Sequence, residues 1–191
     1  MGQYYTPVIY NEEDNTFKNY LCYDYDNGAK LMEHSYIGNS FVETVLKQLY
    51  KKPRRLAWVG DYAKPDDVKS ELAAEFIEAS NKNGLRRKPK CVSRLENSFF
   101  LVFVNYSKKE YICIHRYVLN NGGDRWGCII HPIPLLTAIG NGKGGGDYRD
   151  DKCQELVGRW ACDTIVSVDW IDPKEYPDFV DITDQVNFKE E

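Results

Sequence analysis

At 191 residues the chain is long enough to bury a core of its own without disulfides or a structural metal, and one domain over 1–191 is the default expectation. Hydrophobic residues make up 42% and charged residues 28%, as in water-facing globular domains, and no apolar run approaches the ~20 residues of a membrane-spanning helix. A net charge of −4 argues against a generic nucleic-acid binder, which needs surplus Lys and Arg to displace phosphate counterions.

In chain order, residues 3–10 and 17–25 are β-rich runs on either side of Asn11-Glu12-Glu13-Asp14-Asn15, which reads as a hairpin. Pro7 lacks a backbone N–H, so it puts the first strand on an edge or at a bulge. Lys30 to Ile37 follows as a third strand candidate. Ser40 and Glu43 have the spacing of a capping box opening a helix whose stripe is Phe41, Val45, Leu46 and Leu49, and Pro53 stops it. Arg55 to Asp61 reads as a short apolar strand, and Asp66 to Ser80 as an amphipathic helix with acidic residues at its positive end.

The strongest strand signals are Ser98 to Ser107 and Lys108 to Leu119, expected to form a central hairpin. Trp126 to Pro132 reads as a strand and Pro134 to Ile139 as a short apolar helix. A helical turn at Asp151 to Val157 and a strand from Arg159 to Trp170 follow, then one last short element before the end of the sequence. The expected fold is α+β, a mostly antiparallel sheet with two main helices packed on it.

The most unusual segment is Gly140-Asn141-Gly142-Lys143-Gly144-Gly145-Gly146-Asp147-Tyr148. Glycine density of this kind permits close backbone approach to a ligand, and it equally suits a mobile loop. The run satisfies G-x-G-x-x-G literally, but two prolines and an apolar turn separate it from any preceding strand, which is the wrong context for a dinucleotide site. A Walker A loop fails as well, because Lys143 is followed by Gly144 rather than Ser or Thr. Successive N–H groups beside Lys143 remain as an anion nest. For a nucleotide-like ligand, Gly142, Lys143, Gly144, Gly145, Gly146 and Asp147 would supply the cradle. Lys143 or Arg159 would neutralise phosphate, and Tyr148 or Trp160 would stack on a base.

Catalytic ingredients are few. His131 is a candidate base, with Asp147 and Asp61 as orienting carboxylates for a small phosphate- or nucleotide-processing hydrolase; His131 equally reads as a satisfied histidine at a strand end. The six cysteines, at 22, 91, 113, 128, 153 and 162, lack the close pairing of zinc ligands, and no basic and apolar leader opens the chain. Free thiols and a cytoplasmic location are therefore expected, with no cofactor and no metal. One composite site is conceivable from Cys113 and His115, which alternate onto one strand face, with Cys128 and His131. Two basic spots, Lys51 to Arg55 and Arg86 to Lys90, read as solvated loops at element boundaries.

Met1-Gly2-Gln3-Tyr4-Tyr5, Gly28 to Glu33, Leu135 to Ala138 running into the glycine-rich segment, and Val157-Gly158-Arg159-Trp160-Ala161 with Asp163 together resemble a family of small uncharacterised bacterial and bacteriophage proteins. That resemblance implies a setting rather than a mechanism. In it the expected function is non-enzymatic binding, with inhibition of a host defence system as the concrete form. The partner would be a small nucleotide-like ligand to sequester or a host protein to dock on. A homodimer through an edge strand near Pro7 is a further expectation.

Overall fold

In the computed structural model the described residues are 3–21, 28–82, 100–121, 129–140, 154–172 and 174–188. Among them one eight-stranded sheet dominates. Its strands are β1 (Tyr5–Asn11), β2 (Thr16–Asn19), β3 (Arg54–Gly60), β4 (Val102–Asn105), β5 (Glu110–Cys113), β6 (Ala138–Ile139), β7 (Thr164–Val168) and β8 (Val180–Asp181). Its helices are α1 (Ser40–Leu46), α2 (Glu71–Asn81), α3 (Ile114–Asn121) and α4 (Pro132–Leu136). The class is α+β with a mostly antiparallel sheet: only β3·β6 and β5·β8 run parallel. Among the described residues four α-helices rather than two accompany it.

The strand order is β2-β1-β3-β7-β4-β5-β8. β6 shares one flank of β3 with β7: β7 pairs at Arg54 and Arg55, β6 at Trp58 and Val59. Side chains alternate across the strands. Ile9, Leu56, Trp58, Phe103, Ile112 and Ile165 point into the main core with α1, α3 and α4. On the reverse face, Val8, Ala57 and Val59 pack under Phe76 and Ile77 of α2. Val102, Val104 and Val166 lie with Ile171, Tyr176 and Phe179 on that same reverse face.

Several sequence expectations change. β1 is not an edge strand: it lies between β2 and β3, and Pro7 faces Trp58 across the ladder. The proline is tolerated because its nitrogen and carbonyl share a direction, toward β2, and Tyr20 N–H donates to that carbonyl at 3.0 Å where the β1·β2 pairing ends. The edge at Pro7 expected to serve a dimer is therefore covered. Lys30 to Ile37 is turn-rich, not a strand: Ala29 just before it bridges Tyr5 of β1, and Tyr36 bridges Ile130, which lies outside the named strands.

The run 108–119 divides. After Glu110 and Ile112 the buried positions change to Ile114, Tyr117 and Asn121, the spacing of a helix, and the Tyr117 hydroxyl donates to Ile130 O at 2.9 Å. β-Branched composition concealed that switch of period. The β4·β5 hairpin does form, with Asn105 opposite Glu110, but β7 is the central strand of the order.

Neither of the two helices read from the sequence is capped at its sequence signal. Asn39, not Ser40, caps α1: its Oδ1 accepts from Phe41 N at 2.9 Å and Val42 N at 3.2 Å. Glu43 Oε1 accepts from Gly38 N at 3.1 Å, so the reciprocal half of the box survives, displaced by one residue. α2 begins after Ser70, whose hydroxyl accepts from Ala73 N, and Asp66 and Asp67 sit in a separate 3₁₀ turn. At its other end, Asn19 Nδ2 donates to Ala79 O at 3.0 Å and Lys82 O at 2.9 Å, tying the last turn of α2 to β2.

Candidate functional site

Gly140 leaves the sheet at the end of β6, alongside Gly60 at the end of β3. Because these two strands are parallel, Gly60 and Gly140 lie at the same end of the sheet. Gln3 and Tyr5 fill the space between them. The Tyr5 hydroxyl donates to Gln3 Oε1 at 2.7 Å, and a Cβ on Gly140 would lie 2.5 Å from that hydroxyl and 2.7 Å from Gln3 Oε1. A side chain at 140 would therefore displace the Gln3–Tyr5 pair where the run begins. Gly142, Lys143, Gly144, Gly145, Gly146, Asp147 and Tyr148 lie outside the described residues, as do Cys22, Cys91, Cys128, Cys153 and the basic spot at 86–90.

Asp61 is exposed in the turn after β3, where its Oδ1 accepts from Tyr4 N at 3.1 Å. Tyr62 beside it is partly exposed. His131 is far from solvent: it is buried, sits edge-on to Phe103 with ring centroids 5.6 Å apart, and caps α4 by accepting from Ile133 N on Nδ1 at 3.2 Å. Burial pushes its pKa down to about 3, so the ring is neutral throughout the physiological range. A base of this kind has no route to an external substrate, and the structure gives His131 a capping role.

Arg159 and Trp160 are engaged elsewhere too. Both point at Glu110, the first residue of β5. Arg159 reaches Glu110 through two nitrogens, Nε to Oε2 at 3.1 Å and Nη2 to Oε1, while the Trp160 indole N–H donates to Oε2 at 2.7 Å. Burial alone would raise the carboxyl pKa of Glu110, yet the bonds from Arg159 and Trp160 outweigh it and hold the group below the usual carboxylate range. Trp160 has no exposed surface, which removes it as a stacking platform for a base, and the Arg159 charge is already matched.

The turn carrying these two residues is fixed by Gly158, whose φ of +76° suits glycine and whose N–H donates to Leu135 O at 2.8 Å. Glu110 was missed at the sequence level. Its only signal is a carboxylate in phase with Ile112 and Ile114, which places it on the buried side of β5.

The first basic spot is dispersed by tertiary contacts. Arg55 pairs with Glu12 at 2.6 Å and Arg54 with Glu13 at 3.5 Å, both on the β1–β2 hairpin loop. Lys51 instead joins a cluster at the end of β7. The Tyr50 hydroxyl donates to both oxygens of Asp169 at 3.0 and 2.7 Å, and Lys51 Nζ lies 3.0 Å from Asp169 Oδ2 and 4.8 Å from the Tyr50 ring centre. Hydrogen bonds with Tyr50 and Asp169 push Lys51 up to about 12. Directly after Asp169 comes Trp170, which is 75% exposed, the highest value among the exposed large hydrophobic residues described.

The composite Cys and His site does not assemble along one strand, because β5 ends at Cys113 and His115 lies on α3, stacked on Phe100 at 5.3 Å. Among the described residues no group of three or more His, Cys, Asp or Glu is arranged to hold a metal ion. None of the described helices is long and apolar enough to cross a membrane. No protein-family model, no curated protein and no solved structure matches the chain.

Proposed function

We propose that this is a non-enzymatic binding protein of a bacterium or its phage, working in the cytoplasm by docking on a host protein, with inhibition of a host defence system as the biological outcome. The observation that carries the docking reading is Trp170. A tryptophan left largely in water costs solubility and offers about 2–4 kcal/mol of anchor energy when a partner covers it. Its neighbour Asp169 is held by Tyr50 and Lys51, so the backbone that presents the indole is braced before any partner arrives. The bacterial or phage setting rests on the sequence resemblance.

The test is affinity capture from host lysate with wild-type protein and with Trp170→Ala, followed by direct titration of whatever partner is recovered. Docking predicts a partner retained by wild type and lost from Trp170→Ala, with thermal stability unchanged. Equal retention by both proteins would refute Trp170 as the anchor.

A second reading, sequestration of a small nucleotide-like ligand, is favoured by one feature. The glycine-rich run starts at Gly140, at the carboxyl end of a parallel strand pair whose other member ends at Gly60, one residue before Asp61. Ligands of open α/β sheets collect at the carboxyl ends of parallel strands, and the β3·β6 pair supplies one such end among the described residues. Native mass spectrometry of the purified protein, compared with the denatured protein, separates the readings: a retained nucleotide mass supports sequestration, and a bare mass counts against tight sequestration. The hydrolase alternative is weakened by the burial of His131, its proposed base.

A further inference from the structure

We draw no further inference here: the strongest candidate, the exposed strip formed by Phe100, His115 and Leu119 along α3, is an unpartnered apolar face, and nothing in the structure shows what covers it.

Discussion

The indole N–H of Trp160 donates to Glu110 Oε2 across 2.7 Å, joining the turn after the glycine-rich segment to the first residue of β5. Glu110 is nearly buried, so that bond and the Arg159 pair are what make a carboxylate tolerable there. Trp58, equally buried in the same core, has an indole N–H with no hydrogen-bond partner.

These two tryptophans make opposite predictions for one chemical change. Trp160→Phe removes one of the two donors to Glu110 Oε2, leaving Arg159 Nε on that oxygen, and the lost bond to a charged group is expected to cost about 1–3 kcal/mol beyond the loss of ring volume. Trp58→Phe removes an unpaired donor, so lost packing against Phe41 is offset by relief of the orphaned N–H. Urea titrations of both variants are expected to show Trp160→Phe as the more destabilised. The reverse order would refute the bracing role of Glu110.

His131 sets the upper part of the acid limb. Its folded pKa, about 3, lies below an ordinary histidine value, so the unfolded chain takes up the proton first. Stability is complete above about pH 6.5 and falls as pH drops toward 3, by an amount on the order of a few kcal/mol. His131→Asn retains an acceptor for Ile133 N and does not titrate. In chemical denaturation between pH 7 and 4, its stability is expected to vary less with pH than that of wild type.

Glu110 and Asp181 extend the limb further down. Burial raises both, but the bonds from Arg159 and Trp160 on one, and from Arg116 and Thr183 on the other, hold each below its ordinary value. Their contribution is present above the unfolded carboxylate range and disappears as pH falls through the depressed folded values. Replacing Glu110 with Gln should reduce the loss of stability below about pH 4, measured as the pH dependence of the urea midpoint.

The helix α1 cap discriminates the two adjacent residues. Asn39→Ala removes the acceptor of two first-turn N–H groups and is expected to cost about 1 kcal/mol. Ser40→Ala removes no cap bond, so its effect should stay within about 0.5 kcal/mol. Equal effects in thermal melts would restore Ser40 as the cap.

Cys162 should be inert toward alkylation. It is buried, and desolvation followed by the nearby Asp163 charge pushes its thiol up to about 12. At pH 8 the thiolate fraction is then on the order of 1 in 10,000. Iodoacetamide labelling read by peptide mass spectrometry is expected to leave Cys162 unmodified in the native protein and to modify it after denaturation. Rapid native labelling would contradict its buried placement.

Local chemistry announced much of the fold. Short apolar, β-rich runs located β3, β4 and the start of β5, 3.6-residue spacing located α1 and the body of α2, and Asn11 to Asn15 marked a turn, because each signal lives within a few residues. The helix at Ile114 escaped because Ile, Tyr and Val read as strand until packing against Ile130 and the core selects the helical spacing.

The candidate site was legible only as composition: a glycine-rich run, an arginine, a tryptophan and a histidine. Whether those side chains are available depends on partners far away in sequence. Arg159 and Trp160 are taken up by Glu110 some 50 residues earlier, His131 is withdrawn into the core, and Arg54 and Arg55 are neutralised by the hairpin loop. By itself the sequence determined the α+β class and most element positions, because propensity and periodicity act over single turns and strand repeats. Tertiary structure alone decided the burial of Trp160, the exposure of Trp170 and the placing of Gly60 and Gly140 at one end of the sheet, because long-range pairing sets solvent access and charge compensation.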